Sequence, residues 1–92
     1  MRRLRVPDDV ASLIRGLHPD LKRKIRSALD DILADPTVGK ALRDELAGLR
    51  SCRVSRFRIV YQVVGNVIEV VAIGPRHSIY KETWKKVRGG SS

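Results

Sequence analysis

Three side chains in the second half of the 92-residue sequence are suited to phosphate chemistry: Arg58, Arg76 and Tyr80. A guanidinium group holds phosphate oxygens with two parallel hydrogen bonds and stabilises negative charge that develops on them. Arginine stays protonated, so any proton transfer must come from another group. Tyr80 and His77 are the available candidates, because nearby cations favour the phenolate form of a tyrosine. The alternatives are an amphipathic packing role for Tyr80 and a solvated loop position for His77.

Other motifs that carry chemistry are absent from the sequence. It has no cluster of His and Cys with zinc-ligand spacing, no pair of carboxylates among the basic strands and no glycine-rich phosphate loop. Cys52 is the single cysteine, and a lone cysteine on a strand is more often a small packed apolar residue than a nucleophile. We therefore predict a site that uses no metal and no other cofactor.

The charge of the chain is strongly positive and unevenly placed. The formal net charge is +9 and the pI is near 10.6. Residues 1–48 hold ten basic against eight acidic residues, a net +2, whereas residues 49–92 hold nine against two, a net +7. A basic surface favours a polyanion, most often nucleic acid, through phosphate neutralisation and counterion release. Solubility alone, or an acidic protein partner, would account for the same charge.

The first half of the sequence predicts one short strand and two helices. Residues 2–6 alternate apolar and basic side chains, which indicates the strand. Asp8 or Asp9 can cap the first helix, which has a narrow apolar stripe. The stripe consists of Val10, Leu13, Ile14 and Leu17. The second helix begins at Pro19 and ends at Asp35, and the short link between the helices predicts an antiparallel hairpin.

The second half changes from a helical period to a period of two, which indicates strands. Three strands are predicted, over residues 50–55, 57–64 and 67–73. The Gly65-Asn66 pair tolerates positive φ, as a two-residue hairpin turn requires. Residues 37–49 predict only a turn or a short helix. The basic segment 81–88 predicts a helical turn or two, anchored by Trp84 and Val87.

Alternation along the central predicted strand assigns its two faces. The more apolar face is expected to pack against the helices, and it consists of Phe57, Ile59, Tyr61 and Val63. Arg58 then lies on the opposite, more open face. The strand that follows is apolar on both sides apart from Glu69, which is typical of an interior strand.

These elements predict a single α+β domain over residues 1–88. It contains an N-terminal strand, an antiparallel helical hairpin and a mainly antiparallel sheet, followed by a short C-terminal helix. Residues 89–92 are Gly-Gly-Ser-Ser and predict a flexible tail. A single cysteine is the usage expected in a reducing compartment, and the N terminus lacks the apolar run of a signal peptide. We therefore expect a cytoplasmic protein.

Two segments give the chain a resemblance to a known family. They are GLRSCRVSRFRIVYQV at residues 48–63 and VVAIGPRHSIYKE at residues 70–82, with the Gly-Asn turn between them. In this order they resemble the RelE/ParE superfamily of type II toxin-antitoxin toxins, over nearly the whole chain, which implies a RelE-like fold. In that superfamily, RelE-type members cut messenger RNA in the ribosomal A site without a metal. ParE-type members inhibit DNA gyrase and lack the nuclease residues.

The resemblance also implies roles for individual residues. In the RelE type, cleavage is carried by an arginine of the central strand, an arginine after the last strand and the tyrosine that follows. These positions match Arg58, Arg76 and Tyr80. Of two contributing basic residues on the preceding strand, one matches Arg53, while the other falls on Ser51. The residues expected to bind the substrate are Arg50, Arg53, Arg56, His77 and Lys81.

The function implied by the resemblance is that of a metal-independent, ribosome-dependent endoribonuclease, an mRNA interferase. It would cleave messenger RNA by attack of the RNA's own 2′-hydroxyl. The resemblance further implies an acidic antitoxin that covers the toxin surface, in a complex that binds operator DNA through the antitoxin. Retention of all three nuclease positions favours the RelE type. The alternatives are a ParE-type inhibitor of DNA gyrase and a basic nucleic-acid-binding module without toxic activity.

Overall fold

Five strands and three α-helices make up the part of the chain that the structure describes, residues 2–89 of a computed structural model. The strands are β1 (Arg3–Arg5), β2 (Lys40–Ala41), β3 (Arg50–Val54), β4 (Phe57–Val64) and β5 (Val67–Pro75). The helices are α1 (Asp8–Arg15), α2 (Pro19–Ala34) and α3 (Ile79–Gly89). Short 3-10 helical turns occupy Pro36–Val38 and Asp44–Leu46. The predicted α+β fold is confirmed.

The strands form one sheet in the order β1-β5-β4-β3-β2. β1 runs parallel to β5, and the remaining neighbours are antiparallel. Two consecutive hairpins place β4 between β3 and β5, so its backbone groups find partners on both edges. β4 is therefore the strand whose register decides what each face of the sheet carries.

The helical hairpin of α1 and α2 packs on one face of the sheet. Its buried side chains meet those of β4 and β5 in one apolar cluster. The most buried members are Val10, Ile25, Ile32, Ile59, Tyr61, Ile68 and Val70. Full burial of one aliphatic side chain of this size contributes about 1.5–3 kcal/mol relative to an exposed position. This is the face that alternation predicted for Ile59 and Tyr61.

The opposite face carries a second, smaller apolar cluster under α3. It consists of Leu49, Val60, Ala72 and Ile79. Val60 and Ile79 are fully buried. The face that the sequence predicted to be open is therefore partly covered, because α3 returns across it after β5.

A bulge in β5 helps to build this second cluster. Val60 pairs with Ala72 and Tyr61 pairs with Val70, which leaves Val71 without a direct partner on β4. A bulge of this kind places one extra residue on a strand and re-aims its side chains. Val71 and Ala72 consequently both contribute to the cluster under α3.

The core position predicted for Val63 is wrong. Val63 is 41% exposed, and its neighbour Val64 is 54% exposed. Both lie beside the Gly65-Asn66 turn, and neither belongs to either apolar cluster. Alternation gives the face on which a strand residue lies, but it does not show how far along the strand the helices extend.

The Gly65-Asn66 turn itself is confirmed. Val64 pairs with Val67 across it. Gly65 has a φ of +61°, a left-handed conformation that glycine adopts without steric cost. Positive φ at the first of the two turn residues is the pattern of a type II′ hairpin turn.

The second helix begins at Pro19 as predicted, whereas the cap predicted for the first helix is wrong. Asp8 and Asp9 lie in the first turn of α1 and do not cap it, because Pro7 holds the cap position without a side-chain hydrogen bond. Their carboxylates still lie near the positive end of the helix dipole. The cap of α2 is the His18 ring, which accepts a hydrogen bond from the N–H of Asp20 at 3.1 Å.

The segment predicted as a turn or short helix contains an additional edge strand. β2 pairs Lys40 with Ser51 and Ala41 with Arg50. Two residues are too few to show a hydrophobic period, so the sequence pattern gave no sign of this strand. It extends the sheet beyond β3.

The C-terminal helix is longer than the sequence predicted, and different residues anchor it. Ile79 and Thr83 are fully buried, whereas Trp84 and Val87 are 38% and 46% exposed. The tail predicted for residues 89–92 lies outside the described residues, apart from Gly89 in α3. Within residues 2–89, no helix combines the length and the apolar character needed to cross a membrane.

The hydroxyl of Tyr61 joins β4 to the segment after α2. It donates a hydrogen bond to the carbonyl of Pro36 and accepts one from the N–H of Gly39 at 3.1 Å. Burial raises the pKa of Tyr61, which keeps the neutral phenol that can both donate and accept. Arg50 donates to the carbonyl oxygens of Gly39 at 3.1 Å and Thr37 at 3.5 Å. The backbone of Gly39 is thus held through both its N–H and its C=O.

A charged side chain near the end of α3 fastens this helix to the rest of the molecule. Lys86 Nζ lies 2.6 Å from Asp9 Oδ2 and 3.0 Å from the carbonyl oxygen of Val71. The hydrogen bond from Lys86 is the main cause that lowers the pKa of Asp9 below its usual range. The Lys86 and Asp9 side chains are 40% and 61% exposed. Solvent screening therefore limits the contribution of the pair to about 1 kcal/mol or less.

Gly39→Ala is expected to lower the free energy of unfolding by about 1–3 kcal/mol, the usual cost of overpacking. A Cβ at Gly39 would overlap the ring and hydroxyl of Tyr61, so the loop or the ring must move. Urea unfolding measures the change. Gly16→Ala is the matched control, because a Cβ there meets no atom closer than 3.6 Å. Equal losses in the two variants would show that the contact with Tyr61 is not limiting.

Asp9→Asn is expected to lower the free energy of unfolding by about 0.2–1 kcal/mol at pH 7, an effect that shrinks below about pH 4. The pKa of Asp9 is lower in the folded chain than in the unfolded chain. Its stabilising contribution is therefore complete above the ordinary carboxyl pKa and is lost as the pH falls through the lower folded value. Urea unfolding across this pH range measures the difference, with Asp30→Asn on the exposed side of α2 as control. A difference that does not change with pH would exclude the ion pair as its cause.

Candidate functional site

Strand pairing brings Arg53 and Arg58 side by side. They lie directly opposite each other in the β3–β4 pair, and Arg58 lies opposite Gly74 of β5. Directly opposed residues share one face of a sheet. Arg53, Arg58 and Gly74 lie on the face that α3 covers, because Val60, two residues after Arg58 on β4, packs against Ile79 of α3. Arg53 is exposed, and Arg58 is half-buried.

Gly74 allows α3 to begin close to this row of residues. A Cβ at Gly74 would lie 3.1 Å from Ile79 Cδ1 and 3.3 Å from Glu82 Oε2, which is tighter than ordinary packing. The buried side chain of Ile79 fixes the first turn of α3, and the N–H of Ser78 donates to the carbonyl of Pro75 at 3.1 Å. The residue after Ile79 in this turn is Tyr80.

The hydroxyl of Ser51 joins Arg58 to Tyr80. Arg58 Nη1 donates to Ser51 Oγ at 3.3 Å, and Tyr80 Oη donates to the same oxygen at 3.2 Å. The guanidinium carbon of Arg58 lies 5.9 Å from the centroid of the Tyr80 ring, within cation–π range. Ser51 is only 2% exposed. We call these three residues, Ser51, Arg58 and Tyr80, the Ser51 junction.

Arg76 and His77 lie in the turn between β5 and α3, where both side chains are exposed. The backbone N–H of Arg76 donates to the carbonyl of Arg56 at 2.9 Å, which ties this turn to the β3–β4 turn. Arg56 is exposed as well. The β3–β4 turn follows Val54, one residue after Arg53, and Arg53 pairs with Arg58 of the Ser51 junction, so the exposed arginines and the junction lie toward one end of the sheet. Lys81 follows the junction on the exposed side of α3.

Arg50 is the predicted substrate-binding residue that lies elsewhere. It pairs with Tyr61 and therefore lies on the face that packs against the helical hairpin. Its guanidinium group binds backbone carbonyls there, at Gly39 and Thr37. Alternation along β3 is the sequence signal that separates Arg50 from Arg53, since residues an odd number of positions apart face opposite sides.

Cys52 also lies on the face of the helical hairpin, opposite Ile59. Burial raises the pKa of its thiol, and the charge of Asp31 adds to the rise. The thiol therefore stays protonated, as expected of a packed residue. Among residues 2–89, no three His, Cys, Asp or Glu side chains are grouped so that they could hold a metal ion.

A groove of about 530 Å³ opens beside Tyr80, and no pattern in the sequence predicted it. Lys40 and Arg43 line it as exposed cations, and Leu42 and Leu46 line it as half-buried apolar residues. These residues belong to the segment predicted only as a turn or short helix. The groove forms because β2 and the 3-10 turn after it fold back beside β3.

Comparisons with known proteins give a consistent assignment. The family described as ParE toxin of type II toxin-antitoxin system, parDE, matches residues 5–80. A search of the curated proteins found no significant match.

Solved structures of toxins and toxin complexes share the fold. A chain of the toxin-antitoxin complex RelBE2 from Mycobacterium tuberculosis is 25% identical, with a TM-score of 0.72, covering 82% of this chain and 98% of that chain. The isolated E. coli RelE toxin is 22% identical, with a TM-score of 0.71, covering 95% and 99%. A chain of the YoeB-YefM complex from Staphylococcus aureus is 18% identical, with a TM-score of 0.68, covering 79% and 94%. With 76 of its 92 residues matched by the family, this chain belongs to the ParE toxin family of type II toxin-antitoxin systems, within the RelE/ParE superfamily.

Proposed function

We propose that this toxin is a metal-independent, ribosome-dependent endoribonuclease that cleaves messenger RNA. The observation that carries the proposal is the Ser51 junction, which sets the Arg58 guanidinium and the Tyr80 phenol together on one face of the sheet. Exposed cations at Arg53 and Arg76 lie at the same end. A phosphate held by the guanidinium groups would have a proton-transfer group within the same site.

The chemistry follows from these groups. The 2′-oxygen attacks phosphorus, the bond from phosphorus to the 5′-oxygen breaks, and a cyclic phosphate and a free 5′-hydroxyl result. Arg58 and Arg76 stabilise the charge that develops on the phosphate oxygens. Tyr80 takes the proton from the 2′-hydroxyl, and His77 in the adjacent turn is the second group able to transfer a proton.

The surrounding basic side chains and the His77 imidazole bind the RNA backbone in this proposal. Arg53, Arg56, His77 and Lys81 are exposed around the Ser51 junction. Contacts of this kind neutralise phosphates and position a strand without reading its sequence. The ribosome then presents the messenger to the site.

We also propose an acidic antitoxin as the partner of this toxin. Structures similar to this chain include the E. coli RelBE toxin-antitoxin complex, at 23% identity. The second half of this chain holds nine basic against two acidic residues, so an acidic segment would complement its charge. An antitoxin that covers the Ser51 junction would block cleavage, and the complex would bind operator DNA through the antitoxin.

One observation favours a second candidate function, inhibition of DNA gyrase without RNA cleavage. The family that matches residues 5–80 is described as the ParE toxin family. The presence of Arg58, Arg76 and Tyr80 supports the nuclease instead, because the resemblance assigns these positions to RelE-type cleavage. The two candidates differ in their cellular target and can be separated in one experiment.

Tyr80→Phe and Arg76→Ala are each expected to reduce messenger cleavage on translating ribosomes by about 10²–10³-fold, the usual effect of losing one such group. Mapping the 5′ ends of cut transcripts measures the effect. Arg3→Ala is the charge-matched control, since Arg3 is exposed on β1 opposite Val67, at the far end of the sheet from the Ser51 junction. Intact transcripts together with trapped gyrase–DNA breaks would reject the nuclease and support the second candidate.

Arg50→Ala and Arg53→Ala are expected to separate stability from substrate binding. Arg50→Ala removes charged hydrogen bonds to the carbonyls of Gly39 and Thr37 and should lower the free energy of unfolding by about 1–3 kcal/mol. Arg53 is exposed, so Arg53→Ala should stay within about 0.5 kcal/mol of wild type. Arg53→Ala should instead raise the KM for ribosome-bound messenger. Urea unfolding and cleavage kinetics measure the two effects, and the reverse order would contradict the assignment of faces.

A further inference from the structure

Ser51 is the buried polar residue at the centre of the site, at the position where the resemblance implies a basic residue. It is 2% exposed, and β3 holds its backbone in register with Lys40 on one side and Val60 on the other. Its side chain has one rotatable bond to the hydroxyl. Ser51 Oγ is therefore a fixed point in the site, in contrast to the long side chain of a lysine, whose ammonium can take many positions.

We propose that Ser51 is a positioning residue for cleavage, holding Arg58 and Tyr80 in one geometry through both protonation states of the tyrosine. The inference rests on the proposed nuclease function for its catalytic part. Its structural part rests on the hydrogen bonds from Arg58 Nη1 at 3.3 Å and Tyr80 Oη at 3.2 Å to Ser51 Oγ.

Both functional side chains depend on this hydroxyl. In the part of the chain that the structure describes, Ser51 Oγ is the hydrogen-bond partner of the Tyr80 hydroxyl and of the Arg58 guanidinium. The other contact between them is the packing of the guanidinium over the ring at 5.9 Å, which fixes no hydroxyl direction. Without the Ser51 hydroxyl, packing would still hold the Tyr80 ring, but neither the phenol hydroxyl nor the guanidinium would keep this hydrogen-bond partner.

The chemistry of a hydroxyl explains why a serine suits this position. A hydroxyl has two acceptor lone pairs and one rotatable donor. When Tyr80 is a phenol, Ser51 Oγ accepts from both neighbours, as the structure shows. When Tyr80 is a phenolate, the Ser51 O–H can rotate and donate to it, while Arg58 still donates to Ser51. Hydrogen bonds to Ser51 therefore hold both neighbours in either form of Tyr80.

Neither alanine nor lysine can fill both roles. Alanine has no polar group, and lysine has donors but no acceptor, so it cannot accept from the phenol. A lysine ammonium would also lie close to the Arg58 guanidinium and repel it. In place of a permanent positive charge, the serine supplies a neutral hydroxyl that accepts a hydrogen bond from the phenol and donates one to the phenolate.

The proton balance of the step needs one water molecule besides the Ser51 junction. The Tyr80 phenolate takes the proton of the 2′-hydroxyl as the 2′-oxygen bonds to phosphorus, and the leaving 5′-oxygen takes a proton from water. Tyr80 is then a phenol and Ser51 Oγ accepts from it, until the hydroxide left by that water takes the Tyr80 proton and restores the phenolate. No heavy atom of the Ser51 junction needs to move.

The test compares Ser51→Ala with Ser51→Thr, which keeps the hydroxyl, in ribosome-dependent cleavage. Ser51→Ala is expected to lower kcat by about 10²-fold through misplaced groups, with little change in KM. Ser51→Thr is expected to restore most of the rate, because it keeps the hydroxyl. Ser27→Ala, an exposed serine on α2, is the matched control. A wild-type kcat in Ser51→Ala would overturn the proposal.

A second measurement does not depend on cleavage. Urea unfolding of Ser51→Ala, Tyr80→Phe and the double variant forms a mutant cycle. If Ser51 and Tyr80 are coupled, the folding equilibrium constant of the double variant falls by no more than that of the more destabilised single variant. A fall equal to the product of the two single fold-changes would show that the two residues act independently and would overturn the junction. Uncut transcripts with the wild-type toxin would reject the nuclease and with it the catalytic part of the proposal, and the cycle would then decide only whether Ser51 and Tyr80 are coupled.

Discussion

The register of β4 between β3 and β5 is the constraint on which both the core and the site depend. Pairing Arg58 with Arg53 and Gly74 puts the cations on the face of α3. The same register puts Ile59 and Tyr61 into the cluster under the helical hairpin. A slip of one residue would exchange the two faces and bury Arg58 among apolar side chains. The apolar cluster therefore enforces the geometry of the site, because the register that buries Ile59 is the one that exposes the arginines.

The two faces give the same residue types different roles. Tyr61 is fully buried, its hydroxyl satisfies backbone groups, and burial raises its pKa. Tyr80 is half-buried and bonds to a side chain instead. Arg50 binds backbone carbonyls on the face of the helical hairpin, whereas Arg58 lies on the face of α3, at the Ser51 junction. In the tyrosine pair and in the arginine pair, the surroundings, and not the residue type, decide whether the side chain bonds to the backbone or to another side chain.

Positive charge gathers at one end of the sheet, where its repulsion opposes folding. Glu69 does not offset this charge, because its carboxylate lies on a distant part of the sheet. There it is 3.3 Å from Arg5 Nη1 and 2.7 Å from Gln62 Nε2. The apolar cluster under the helical hairpin and the ion pair between Lys86 and Asp9 supply stability from other regions. These contacts offset the repulsion among the exposed arginines.

The sequence alone determined the α+β class, the two helices, the β4–β5 hairpin and the side of the sheet on which Arg58 lies. Each of these follows from local periods, turn residues and alternation, which operate over a few neighbouring positions. Other features depend on contacts between distant segments and appear only in the folded chain. They are the packing of α3 over one face of the sheet, the exposure of Val63, the position of Arg50 on the face of the helical hairpin and the groove beside Tyr80. The same holds for Ser51, which looked like a missing cation in the sequence. Its contacts with Arg58 from β4 and Tyr80 from α3 appear only in the tertiary structure, since a contact between three distant segments leaves no periodic signal in any of them.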